Sequence, residues 1–252
     1  MTTWSPVPIL MYHAVKDRAY PRAYKHIHVT KAEFEWQMRS LKARGYSPIT
    51  FSMLQDGLAG RATLGAKSVL LTFDDGYEEL LANAHPVLEE LGFPYTVFLV
   101  SGVIGKSNDW DVFEETEPFK ILSWDQIRQM QATGLASFQP HTDSHPRLST
   151  LPIEEARREI CVSRDVLEQE LGAKTDVFCY PYGDLGSDVA SLVSDLGFTS
   201  AVTTQFGRVR RQDDPIRLPR ISVYHVPPVS LTYGIGALNY WWRIESHKDN
   251  RP

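Results

Sequence analysis

Four points in the sequence carry side chains that could do chemistry together. "LLTFDDGYEELL", residues 70–81, sets Asp74 and Asp75 side by side after an apolar run and before a glycine. Neighbouring carboxylates repel unless a cation, a proton or good solvation separates them, so the pair is either a site or a wet turn. Taken alone, an Asp-Asp-Gly turn is more often only a turn. The second point is "QPHTDSHPRL", residues 139–148, where His141 and His145 stand four apart, a spacing at which two imidazoles can meet on one metal. Pro146 disfavours α geometry at His145, so a tight loop turn is expected there. The third and fourth are His13, after "PILMY", and Tyr182 with Asp184 in "DVFCYPYGD". By itself His13 reads as a structural histidine and the YPYG turn as a turn. Two His and one Asp, however, make a ligand set for a divalent ion with positions left open for water. Successive strand residues face opposite ways, so one of two adjacent Asp can hold a cation while its neighbour faces a water.

Something must bring these points together, and the hydrophobic pattern supplies it. Short apolar, β-branched runs bounded by turn residues predict buried strands at Pro8 to Tyr12, Ser68 to Phe73, Tyr95 to Val100, Thr175 to Tyr180 and Thr199 to Thr203. Amphipathic patterns predict helices at Thr30 to Ala43, Glu78 to Leu91, Trp124 to Thr133, Ile153 to Leu171 and Ser187 to Leu196. Thr30 and Glu33 have capping-box spacing. Several helical stretches end in a glycine before the next apolar run, as in LKARGYSPITF, LEELGFPYTVFLV and VSDLGFTSAV, which fits a left-handed cap followed by a strand. Strand–helix alternation of this kind argues for a parallel α/β fold. In such folds sites are built at the carboxyl ends of strands, and four polar motifs at strand ends are what a barrel with one active site would give.

The totals fit one soluble globular domain over 1–252. Hydrophobic residues are 42% and charged residues 23%, with 26 Lys and Arg against 31 Asp and Glu, so no basic excess points to nucleic acid or an anionic membrane. Cys161 and Cys179 lack a CxxC spacing and read as buried thiols. The opening "MTTWSPVPILMYHAV" has no basic n-region, and two prolines break its apolar run, so it is not a secretory signal. That predicts a cytoplasmic chain, or an extracytoplasmic one if a leader once preceded it. No stretch approaches the roughly 20 apolar residues of a membrane span. Oligomeric state leaves no signal. Gly105 to Lys120, with Trp110, reads as a surface excursion, and the tail after Arg220 has no clear periodicity.

With these residues in view, TFDDGY, HTDSH and YPYG resemble the first three motifs of the polysaccharide deacetylases, the carbohydrate esterase family 4 or NodB-homology domain. "PILMYHAV" followed by "VTKAEFEWQMRSLKARGYSPITF" resembles the branch acting on poly-N-acetylglucosamine, in which motif order is circularly permuted and the last motif stands at the N-terminus. The resemblance covers about residues 7–204. It implies a distorted (β/α) barrel of parallel strands and a metal-dependent hydrolysis of the N-acetyl group of an acetylated glycan. By the same resemblance Asp75, His141 and His145 would bind the metal, zinc above nickel or cobalt. Asp74 would be the general base, His13 the general acid, and the Tyr182 backbone N–H would help hold the oxyanion.

Two departures stand out. Many relatives carry an Arg two residues before the Pro of the third motif, where this chain has Cys179, and Arg220 in "LPRI" is a weak candidate for its replacement. Many also have a Gly-Ser lead-in to the histidines, where this chain has Gln139 and Pro140, a change that could alter the subsite beside the metal. Hydrolysis of another amide or an O-acetyl ester on the same fold, and an inactive carbohydrate-binding homologue, are the competing readings. The presence of Asp74, Asp75, His141, His145 and His13 argues against the last. Exposed aromatics around Trp110 and in "NYWWR", residues 239–243, would form a sugar-binding surface, unless Trp241 and Trp242 pack the tail onto the barrel.

Overall fold

The computed structural model describes residues 4–19, 27–110, 117–225, 240–241 and 243–245. In chain order the elements are β1 (Ile9–Tyr12), β2 (Ala14–Lys16), β3 (His28–Thr30), α1 (Lys31–Ala43), β4 (Ser47–Pro48), α2 (Phe51–Leu58) and β5 (Ser68–Phe73). A π-helical turn, Leu80–Ala84, runs into α3 (His85–Leu91), followed by β6 (Tyr95–Leu99), α4 (Trp124–Gln131), β7 (Ala136–Pro140) and α5 (Ile153–Leu171). The last elements are β8 (Val177–Cys179), α6 (Ser187–Asp195), β9 (Ser200–Phe206) and β10 (Leu218–Ser222).

Seven parallel strands form a nearly closed barrel in the order β7-β6-β5-β1-β10-β9-β8, and β4 adds to the first half of β5. The first strand lies in the middle of this order. Its residues pair with β5 from Ile9↔Leu70 to Tyr12↔Phe73, and with β10 at Leu10↔Ile221. That placement puts His13, just past β1, beside the tip of β5, where the Asp74 N–H donates to the Tyr12 carbonyl at 2.9 Å.

Period-two alternation sorts the strand side chains. Ile9, Leu70, Phe98, Val177, Cys179, Val202 and Leu218 share the barrel interior. Leu10, Tyr12, Leu71, Phe73, Val97 and Leu99 face outward onto Phe34, Met38, Leu41 and Leu88 of α1 and α3. Burying a side chain of this size contributes about 1.5–3 kcal/mol, so the two-sided burial explains why these strands read as continuous apolar runs. α1 starts where its capping box says it must: Thr30 Oγ1 accepts from the Glu33 N–H at 3.2 Å, and the Thr30 N–H donates to Glu33 Oε2 at 2.8 Å.

Six elements were not anticipated from the pattern: the short strands β2, β3 and β4, and α2, β7 and β10. The helix expected over Glu78 to Leu91 is broken in type, π then α. The three helix-ending glycines Gly45, Gly92 and Gly197 all take positive φ, as expected. No helix among the described residues is long and apolar enough to cross a membrane.

Candidate active site

The six residues to which the resemblance assigns roles all stand at the carboxyl rim of this barrel. Asp74 and Asp75 follow β5, His141 and His145 follow β7, Tyr182 follows β8, and His13 follows β1. The pair of carboxylates is almost fully buried, at 3% and 2% exposure, which removes solvation as the reason they coexist.

Asp75 Oδ1 lies 3.5 Å from His141 Nε2 and 3.4 Å from His145 Nε2, and one donor atom from each of the three residues fits within 4.8 Å of the others. Among the described residues neither Asp75 Oδ1 nor His145 Nδ1 has a hydrogen-bond partner. A buried carboxylate oxygen facing two imidazole nitrogens without a hydrogen bond suits a cation between them. The two separations match the about 3.3–3.6 Å edges of a tetrahedron with metal–ligand bonds of about 2.0–2.2 Å. His141 Nδ1 stands 2.7 Å from the Cys179 carbonyl. An N–H donated there leaves the Nε2 lone pair aimed at Asp75, the orientation a metal ligand needs. In the absence of a cation the histidines diverge. Burial takes His145 down to about 3, whereas in His141 burial is outweighed by contacts with Cys179 and Asp75 and the ring stays raised. Burial also acts against the Asp75 carboxylate, but the neighbouring His141 and His145 imidazoles hold it below its usual range.

Asp74 is held quite differently. Arg220, 1% exposed, meets it as a fork, Nη1 to Oδ1 and Nη2 to Oδ2, both at 2.7 Å. The guanidinium also donates to Thr203 O at 2.9 Å, Thr72 Oγ1 at 3.2 Å and Cys179 Sγ at 3.3 Å. A register shift in the β9–β10 ladder between Leu218 and Arg220 accompanies the Thr203 contact. Burial would raise the Asp74 carboxyl, but the charge and hydrogen bonds of Arg220 override it and keep the group ionised. Arg220 from β10 thus supplies the positive charge beside Asp74 that Cys179 cannot. Asp74, His141 and Cys179 also form a compact trio, but the Arg220 cation occupies its edge and burial keeps the thiol protonated, so it does not suit a metal. His13 Nε2 stands 3.9 Å from Asp74 Oδ2, beyond hydrogen-bond reach, on a ring that is partly open to solvent.

Four non-glycine residues among those described have positive φ: Asp75 at 72°, Thr142 at 67°, His145 at 61° and Tyr182 at 59°. Three are sequence-predicted site residues and the fourth adjoins His141. Each such conformation costs about 1–3 kcal/mol and persists only where its surroundings hold it. Here Thr142 Oγ1 accepts from the His145 N–H at 3.0 Å. Glu159 of α5 accepts from the Asp143 N–H at 3.0 Å, the Ser144 N–H at 2.9 Å and the Ser144 hydroxyl at 2.8 Å. Gly76 closes the Asp-Asp-Gly turn at φ 75°, where a Cβ would come within 2.5 Å of Leu99. Tyr182 is exposed, with its ring edge-on to His145 at 4.7 Å and the Arg147 guanidinium over it at 4.1 Å. Its turn is tied to the histidine loop, because Asp184 accepts from the Ser149 N–H and hydroxyl at 3.0 and 2.9 Å.

Some sequence expectations need correction. Trp110 does not stand out on an exposed excursion; it stacks on His145, centroids 4.4 Å apart and 23° from parallel. Trp241 is buried at 8%, with Arg44 over its ring at 3.8 Å, and so packs the tail onto the barrel; Trp242 lies outside the described residues. Gln139 is turned into the wall between β7 and β8, where it accepts from the N–H groups of Asp176 and Val177. Glu159 carried no signal in the sequence, being one of several charges on an amphipathic helix.

Comparison with known proteins agrees with this geometry. The polysaccharide deacetylase family pattern matches residues 61–201. A Staphylococcus epidermidis protein named poly-beta-1,6-N-acetyl-D-glucosamine N-deacetylase is 28% identical over 207 residues, covering 79% of this chain and 69% of that one. The Escherichia coli protein of the same name is 23% identical over 251 residues; the match takes in 86% of this chain but only 36% of that longer protein. The solved structure of IcaB from Ammonifex degensii superposes with a TM-score of 0.77 at 27% identity, over 95% of this chain and 97% of that one. With its motifs gathered on one rim of the barrel, and with more than half of its length matched, the chain belongs to the polysaccharide deacetylase family.

Proposed function

We propose that the chain is a metal-dependent hydrolase that removes N-acetyl groups from acetamido sugars within a glycan and releases acetate. The observation that carries this reading is the convergence of an Asp-His-His donor set with a separate, arginine-held carboxylate and a histidine on one barrel rim. Asp75, His141 and His145 hold the ion, and two nitrogens with one oxygen suit zinc, with nickel or cobalt able to substitute. When bound, a divalent ion supplies Lewis acidity toward an acetyl carbonyl and toward water. Asp74 takes the proton of the water that adds to the carbonyl carbon, and the Arg220 fork keeps its carboxylate ionised and oriented for that task. The Tyr182 N–H, in its fixed left-handed turn, donates to the oxygen on which charge develops. His13 gives a proton to the amine as the C–N bond breaks, which an amide needs because an unprotonated amine is a poor leaving group.

Two kinds of support favour a glycan. The relatives described above are named for poly-N-acetylglucosamine. Tyr182, after β8, and Phe206, at the end of β9, are exposed aromatic rings at the rim, and such rings can cover the apolar face of a sugar. Acetate release should be measured over a panel of acetamido and O-acetylated glycans, with zinc-loaded and chelated protein. Release from an acetamido oligomer only in the loaded protein is expected. Release from O-acetyl esters alone would replace the amidase reading with an esterase, and no release from any member would remove it.

A further inference from the structure

The barrel closes by side chains. β7 and β8 end the strand order and stand next to each other, yet among the described residues no ladder hydrogen bonds join them. Two side chains from β7 and its extension cross the gap instead. Gln139 Oε1 accepts from the Asp176 N–H at 3.1 Å and the Val177 N–H at 2.9 Å, at the start of β8. His141 Nδ1 meets the Cys179 carbonyl at 2.7 Å, at the end of β8. The two contacts are two residues apart on both sides, the spacing of successive rungs in a parallel ladder.

Pro140 completes the arrangement. The His141 N–H donates to Leu99 O on β6 at 2.9 Å, so in an extended chain the backbone of residue 140 points the other way, into the gap. A proline there has no N–H to leave unpaired. Gln139 itself is 6% exposed, and its amide nitrogen donates to Ser137 Oγ at 3.2 Å. The QP dipeptide therefore supplies an acceptor for two donors of β8 and removes a donor from β7.

We propose that Gln139 is a positioning residue for the metal site, fixing β8 at the separation at which Cys179 O orients the His141 ring. The proposal rests on Asp75, His141 and His145 being the ligand set. Without the Gln139 carbonyl, the two β8 amides lose their partner, the gap is free to hydrate, and the carbonyl that orients His141 moves with its strand. Loss of such an outer partner typically weakens metal affinity by about 10–100-fold.

The test compares wild type, Gln139→Leu and Gln139→Glu after chelator stripping, with zinc affinity read by competition against a chromophoric chelator and folding by cooperative thermal unfolding. Gln139→Leu should bind zinc about tenfold or more weakly. Gln139→Glu should stay close to wild type, because a carboxylate oxygen accepts the same two N–H groups and Ser137 can turn its hydroxyl toward the other. A second measurement needs no substitution. Linkage is reciprocal, so zinc should slow hydrogen exchange of the Asp176 and Val177 amides in wild type by a comparable factor of about ten. A folded Gln139→Leu protein with wild-type zinc affinity would overturn the proposal. If that variant does not fold, exchange at Asp176 and Val177 indifferent to zinc would do the same. Wild type that takes up no zinc would overturn the metal-site reading and this proposal together.

Discussion

The two halves of the rim are held by different forces. Asp75 and His145 sit in left-handed backbone, clamped by Thr142, by the Glu159 contacts and by the close approach of Gly76 to Leu99. Neither Asp74 nor His13 has a positive φ; Asp74 is fixed by a buried fork of charge from a strand far along the chain, and His13 stands 3.9 Å from Asp74. Under the proposed roles the difference has a reason: a donor set that must present three atoms to one point has to be rigid, and strained backbone supplies rigidity. Groups that would pass protons need the right charge, and a side-chain pair supplies it. The comparison makes distinct demands on each half.

The largest effect should follow from emptying the rigid half. A His141→Ala, His145→Ala double mutant should lose zinc and all measurable acetate release together, checked by elemental analysis of the purified protein. Stoichiometric metal in that variant would end the donor-set assignment. Asp74→Asn should keep the metal and lose roughly 10²-fold or more in kcat, because an amide cannot accept the proton. Metal lost as completely as in Asp75→Asn would mean the two carboxylates had been assigned in reverse, and the contrast between halves would fail with it.

His13→Ala should depress amide hydrolysis by about 10²-fold, leave zinc in place and spare an activated aryl acetate, whose leaving group needs no proton. Equal losses on both substrates would assign His13 to structure. The most indirect effect should come from Arg220→Met, which acts through Asp74 by leaving a buried carboxyl without its counter-charge. Asp74 is lowered in the folded protein against the pull of burial, so it contributes stability above the unfolded value near 3.9 that is lost as pH falls toward the folded one. Without the charge and hydrogen bonds of Arg220 burial weighs more heavily, the carboxyl rises, and the acid limb of the kcat/KM profile should move up in pH. The variant should also gain, rather than lose, thermal stability as pH is lowered from neutrality toward the raised value. An unmoved acid limb would show that the limb reports some other group.

Legibility in the sequence tracked how local each cause was. β5 and α5 came out with the boundaries the pattern implied, because unbroken burial and a long amphipathic repeat are written into consecutive residues. β7, "ASFQP", has partly exposed Ala136, exposed Ser137 and a proline, so it carries neither an apolar run nor clean alternation, and one of its edges is served by a side chain. α2 is short and contains Gly57, and β10 is found only by its partners. Of the site, Asp74, Asp75 and the histidines were readable from type and spacing. Arg220 was barely so, since its carboxylate lies 146 positions away, and Gln139 was assigned to a subsite when its work is in the wall. For Trp110 only the exposure was misread: an aromatic in the Gly105 to Lys120 excursion looked exposed, and its ring lies half-buried against His145.

The central position of β1 also has a cost in time. On a ribosome the strand that carries His13 is made first, but one of its partners, Leu70, comes later and the other, Ile221, later still. At roughly 5–20 residues per second the second partner emerges on the order of 10–40 s after Leu10. Throughout that interval one edge of β1 has no strand to pair with, and a run such as ILMY is the kind of sequence that adds to other chains or recruits holding chaperones. His13 and Asp74 can meet as soon as β1 pairs with β5, but Arg220 reaches Asp74 only when β10 has been made, so completion of the rim is gated by the late strands and high in contact order.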